Sequence, residues 1–147
     1  MKKIFFLLFI FFIQESCDKA RMASYKIEGK HQLVTFNVDG ADSLTYLNYY
    51  TFNCSDYFFE FNYLEDKGDP NWVSIHCNQN DSIFTVNWKN TDNTLFFDST
   101  YRFLGFGPWL PFGGEPYWQI VKLTKKEFII SRGKDGKNYQ AHFKKIN

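Results

Sequence analysis

The chain has 147 residues, 44% hydrophobic and 22% charged, with a formal net charge of +1. That length fits one domain. The apolar share excludes a disordered chain, and so even a charge balance removes the simplest electrostatic case for nucleic-acid binding. Three cysteines are too few for a disulfide-dense scaffold and lack zinc-finger spacing. The unusual quantity is aromatic: 18 Phe, 9 Tyr and 4 Trp make up 21% of the chain.

Met1-Lys2-Lys3 is a short positive leader, and Ile4 to Ile13 is an unbroken apolar run of ten residues. A bilayer-spanning helix takes about 20, so the run fits the apolar core of a secretory signal over residues 1–16. Ser16-Cys17 follows. A small residue before cysteine at this place resembles a bacterial lipobox, of the relaxed kind found in Bacteroidetes lipoproteins. The resemblance implies an acylated Cys17 and a membrane anchor, with attachment strength set by the number of acyl chains. The usual box is apolar where this chain has Gln14 and Glu15. Cleavage before Cys17 removes Lys2, Lys3 and Glu15, leaving equal numbers of acidic and basic residues. The mature chain then has no general pull toward anionic lipid. Of the rings, only Phe5, Phe6, Phe9, Phe11 and Phe12 leave, so the aromatic excess belongs to the folded domain.

Residues 17–25 read as a polar tether without regular pattern, and residues 26–147 as the domain. Segment 30–38 places Val34, Phe36 and Val38 on one face in period two. Asp39-Gly40 breaks it, and Asp42 and Ser43 open a helical turn over 41–48. Segment 57–64 alternates Tyr57, Phe59, Phe61 and Tyr63 against Glu60 and Asn62; segments 72–77, 82–89 and 94–98 follow. Phe84, Val86 and Trp88 share a face in the second of these. Segment 99–116 carries Gly105, Gly107, Gly113, Gly114, Pro108, Pro111 and Pro116, which exclude a long helix or central strand. Its rings (Tyr101, Phe103, Phe106, Trp109 and Phe112) make it a long apolar loop, a kind that is often functional. Strands at 117–123, 127–132 and 138–146 close the chain. About eight antiparallel strands in an all-β chain, with one short helical turn, predict an up-and-down barrel or a related sandwich. Closure removes free sheet edges.

Ile27-Glu28-Gly29-Lys30, Leu33-Val34-Thr35-Phe36 and Val38-Asp39-Gly40 resemble the opening of bacterial lipocalin-like lipoproteins. Trp118 to Thr124, Phe128-Ile129-Ile130 and Tyr139 to Lys145 resemble their last hairpins. The resemblance implies a calycin-type barrel and no established ligand. Lipocalins usually carry Gly-x-Trp on the first strand, the Trp plugging the closed end; this chain has Gly29-Lys30-His31. Another aromatic is then needed to seal that end.

Candidate chemistry is sparse. Cys54 and Cys77 bracket the 57–77 hairpin, where a disulfide would contribute about 3 kcal/mol and two free thiols are the alternative. His31, His76 and His142 show no metal spacing, and no nucleophile, phosphate-loop or metalloprotease motif occurs. Glu60, Asp98 and Glu115 are isolated acids. No enzyme activity, cofactor or nucleic-acid partner is expected, and a monomer is. The positive clue is the ring set. Phe36, Phe59, Phe61, Phe84, Trp88 and Trp118 either line a small hydrophobic ligand inside the barrel or simply fill it. Trp109 and its loop either lid the mouth or dock a protein or glycan partner of the envelope.

Overall fold

The computed structural model describes residues 19–44, 56–64, 71–77, 81–91, 93–97 and 117–147; for Cys77 and residues 81–84 the backbone alone is described. Nine strands run in one antiparallel sheet: β1 (Gly29–Val38), β2 (Ala41–Asp42), β3 (Tyr57–Asn62), β4 (Trp72–Cys77), β5 (Asp81–Asn90), β6 (Thr94–Phe97), β7 (Trp118–Leu123), β8 (Glu127–Lys134) and β9 (Lys137–Lys145). Each strand after β3 pairs with its predecessor, β1 pairs with β3, and β1 also pairs with β9. That last pairing closes an eight-stranded barrel, with β2 added to the end of β1. The sandwich alternative is thereby removed.

Two Asp-Gly pairs make the tightest turns. Asp39 and Gly40 have φ of 52° and 81°, and Asp135 and Gly136 have 53° and 74°. Positive φ at two successive residues matches the twist of a two-residue hairpin, which is why Asp-Gly is favoured there. The turns also meet: the Asp39 amide donates to the Asn138 carbonyl, and the Asn138 amide donates to Asp39 Oδ1, both at 2.8 Å. Only the start of the expected helical turn at 41–48 is described. Ala41 and Asp42 pair with β1 as β2, and Asp42 Oδ1 accepts the Leu44 amide at 3.1 Å; residues 45–48 lie outside the described residues.

The period-two reading of β1 needs correction. Leu33 pairs with Phe143 but Thr35 with His142, so Val34 is an extra residue in a β-bulge. A bulge breaks the alternation of faces. His31 and Leu33 therefore turn inward before it and Phe36 after it, while Val34 is only half-buried. A second bulge, between Ile120 and Lys122, leaves Val121 exposed. A third register shift lies between Ile75 and His76, which pair with Phe84 and Ser82 and leave Ile83 as the extra residue on β5. Alternation holds for Tyr57, Phe59 and Phe61 on β3, Val86 and Trp88 on β5, and Phe128 and Ile130 on β8, which are buried. Phe58, on the opposite face of β3, is also buried, with Lys30 Nζ 5.3 Å from its ring centre.

The polar tether is likewise revised. Residues 19–27 form a helix, here α1. Lys, Ala, Arg and Met are good helix formers. Ala20, Ala23, Ser24 and Ile27 fall at the spacing of one helical face, and the last three are buried. The face is made of small residues, so composition alone reads as polar. Ser24 Oγ donates to Asn90 Oδ1 at 2.7 Å, and Asn90 Nδ2 donates to the Ala20 carbonyl at 3.1 Å. Tyr25 packs edge-on against Tyr63 at 5.4 Å. α1 thus lies across the barrel end where β5 and β7 finish and β8 begins.

That end has the seal the sequence called for. His31 is 1% exposed. Its ring lies edge-on to Phe128 at 5.1 Å and to Phe61 at 5.8 Å. Phe128 stacks on Phe143 at 4.5 Å, and Phe61 meets both edge-on. Burial drives the His31 pKa from 6.5 down to about 4; its contact with the Gly29 carbonyl opposes this, and nearby Lys145 adds to it. The neutral imidazole donates from Nδ1 to that carbonyl at 3.0 Å.

Two outcomes check this end. Ile27→Ala costs about 2–5 kcal/mol in urea unfolding, whereas a free tether would lose almost nothing. On acidification the unfolded chain protonates His31 first, because its folded pKa is depressed. The His31 share of stability is therefore present above pH 6.5 and lost as pH falls to about 4, on the order of 3 kcal/mol. His31→Phe flattens the stability profile across that window.

Candidate functional site

The inner wall changes character along the barrel axis. Near α1 it is a set of interlocked rings. At the far end, β8 turns an arginine inward: Arg132 follows Phe128 and Ile130 in period two and is 4% exposed. Its guanidinium carbon lies 4.7 Å from the Trp118 ring centre. Stacking on an indole face offsets part of the cost of removing the cation from water. Burial still lowers the Arg132 pKa to about 10, while Tyr139 and Asp135 act the other way. At about 10 the group is charged at neutral pH. Tyr139 sits directly across the strand pair from Arg132 and is half-buried, its ring 6.2 Å from that of Phe36. Arg132 and Tyr139 also border a cleft of about 380 Å³ on the outside of the barrel, whose other walls include the outward-phase Asn37, Gln119, Ser131 and Gln140.

The expected ligand-lining rings divide between the two halves. Phe59, Phe61 and Trp88 belong to the packed half: Phe61 lies 6.2 Å from Phe59 and 5.6 Å from Trp88. The Trp88 indole donates to the carbonyls of Trp72 and Asn62, at 3.1 and 3.2 Å, which ties β5 to β3 and β4. Phe36 and Trp118 lie toward the far half, beside Tyr139 and Arg132. Phe84 is paired with Ile75 on β4. Trp109, the 99–116 loop, Cys17 and Cys54 lie outside the described residues. Cys77 is paired with Tyr57. Arg132 was absent from the sequence candidates. Its signal was the inward phase of Phe128 and Ile130, which puts a cation on an apolar face.

The remaining histidines face outward. His76 Nε2 is 3.6 Å from Glu60 Oε2. On β8, the Glu127 carboxylate accepts from Lys122 Nζ and contacts His142 Nε2 at 2.7 Å. Lys122 first, and His142 second, hold the Glu127 pKa down from 4.5 to about 2. Among the described residues, no group of three or more His, Cys, Asp or Glu is placed to hold a metal ion, and no helix is long and apolar enough to cross a membrane.

No protein-family model, curated protein or solved structure matches the chain. The β-barrel geometry is compatible with a lipocalin-like ligand-binding domain.

The Glu127 cluster gives a direct check. A depressed carboxyl contributes stability above pH 4.5 that is lost as pH falls toward about 2. In a carboxyl-detected NMR titration, Glu127 titrates near pH 2, and Lys122→Met moves that midpoint up toward 4.5. An unchanged midpoint would show that Lys122 is not the controlling partner.

Proposed function

We propose that the chain is a lipid-anchored envelope lipoprotein whose barrel holds a small hydrophobic molecule with an acidic head. The observation that supports it is the graded inner wall. An apolar body would lie against Phe36 and Trp118, which are fully buried and must open to admit it, and an anionic group would meet the buried guanidinium of Arg132 with Tyr139 beside it. A cation inside a ring-lined barrel is costly to bury, so a side chain serving only to fill space would be apolar. Arginine also presents its donors as a planar fork suited to a carboxylate or phosphate. The protein binds and does not catalyse in this reading. The Ser16-Cys17 junction supports the anchor.

A second reading has its own support. The α1 half is filled by rings in mutual contact. If the far half is filled as well, the barrel is a scaffold, and the aromatic 99–116 loop docks an envelope protein or glycan.

Paired dye titrations separate the readings. The barrel binds an anionic naphthalene sulfonate, and Arg132→Met weakens that binding at least about tenfold while sparing an uncharged apolar dye. Native mass spectrometry of protein taken from its own host shows a retained small molecule. If neither dye binds and the mass is that of the bare protein, the scaffold reading stands. The anchor is checked separately: the intact mass exceeds that of the chain from Cys17 by a diacylglycerol and an acyl group or by the diacylglycerol alone. Cys17→Ala abolishes that mass.

A further inference from the structure

The formal neutrality of the mature chain hides a separation of charge. At the barrel end crossed by α1, Lys125, Lys126, Lys144 and Lys145 are all exposed. They border a cleft of about 480 Å³ together with Glu127 and Asn147. Backbone bonds hold the group in place: the Lys145 amide donates to the Lys126 carbonyl, and the Ile146 amide to the Lys30 carbonyl. Glu127 does little to neutralise these lysines, because its carboxylate is already engaged by Lys122 and His142. Lys19, Arg21 and Lys26 of α1 add positive charge at the same end, against Glu28, whose carbonyl accepts from Lys145 Nζ at 2.6 Å. Among the described residues, the opposite end carries Asp39, Asp42, Asp56 and Asp135 against Arg132, Lys134 and Lys137.

We infer that the Lys125–Lys126–Lys144–Lys145 cleft docks this end of the barrel onto phosphate headgroups of an anionic phospholipid surface. Two observations on the page converge. The charge is of the right sign and is gathered in one concave patch, where it acts within a Debye length of the surface. The chain also enters the fold at that end, since α1 begins at residue 19 there. An acyl anchor on Cys17 would hold the same end against the bilayer. The inference rests on the anchored reading for this second point. Its consequence is orientation: the Arg132 end faces away from the membrane, where it meets soluble molecules. The phosphate chemistry would also suit a free anion, so the test separates the two.

The full chain, with whatever modification it carries, is mixed with vesicles of phosphatidylcholine alone or with about a third phosphatidylglycerol. Flotation reports the anchor, and acetylation of each lysine, read by mass spectrometry, reports the face. Flotation occurs with both vesicles. Lys125, Lys126, Lys144 and Lys145 are protected severalfold only with phosphatidylglycerol, Lys134 and Lys137 stay reactive, and the protection fades in high salt. Lys125→Gln/Lys126→Gln/Lys144→Gln still floats but loses the phosphatidylglycerol-dependent protection of Lys145. Equal reactivity in both vesicles, or protection centred on Lys134 and Lys137, overturns the inference. So does full protection by inorganic phosphate without vesicles. Failure to float on phosphatidylcholine removes the anchor alone, and the phosphatidylglycerol comparison still decides the docking face.

Discussion

Closure of the sheet through β1 and β9 is the constraint on which the other features depend. β1 is paired along both edges, to β9 over most of its length and to β3 and β2 in turn. An open sheet of this length would expose a row of backbone donors and acceptors. Closure instead defines an inside, and with it the meaning of every alternating residue. The Val34 bulge belongs to this constraint. It lets β1 keep an inward phase at both His31 and Phe36 while staying bonded to β9.

An enclosed interior makes polar groups expensive, and this barrel carries two nitrogen-rich side chains in it. They are handled in opposite ways. His31, between phenylalanines under α1, gives up its charge, and a single acceptor satisfies the remaining N–H. Arg132 keeps its charge at neutral pH, because burial lowers its pKa only to about 10. The first solution makes a stopper and the second leaves a persistent cation, so the barrel has two chemically different ends.

Much of the architecture was legible because period two is a strong signal where it persists. Tyr57, Phe59 and Phe61 announce β3, and the Asp-Gly turns announce their own geometry. The misreadings share one cause, a local rule broken by a neighbour distant in sequence. Val34 looks inward-facing until β9 forces the bulge. Residues 17–25 look like a tether because the buried residues among them are Ala23 and Ser24, and the bond from Ser24 to Asn90 is a contact distant in sequence. His31 looked like a missing plug because its hydrophobic role requires a neutral ring, and neutrality comes from burial, a tertiary property. Arg132 is different: its inward phase is readable from Phe128 and Ile130, two and four residues before it.

Charge shows the same gap between sum and arrangement. Equal numbers of acids and bases predict no long-range attraction for a uniform sphere, but a barrel is not uniform. Antiparallel hairpins place successive turns at alternate ends, so residues in turns are sorted by parity along the chain. The β7–β8 turn and the end of β9 bring four lysines to the α1 end, while Asp39 and Asp135, in the first and last hairpin turns, fall at the other. Across a barrel longer than the Debye length in physiological salt, about 8 Å, the two ends act as separate charges. Net charge then governs solubility, and the sorted ends govern which way the molecule faces a charged surface.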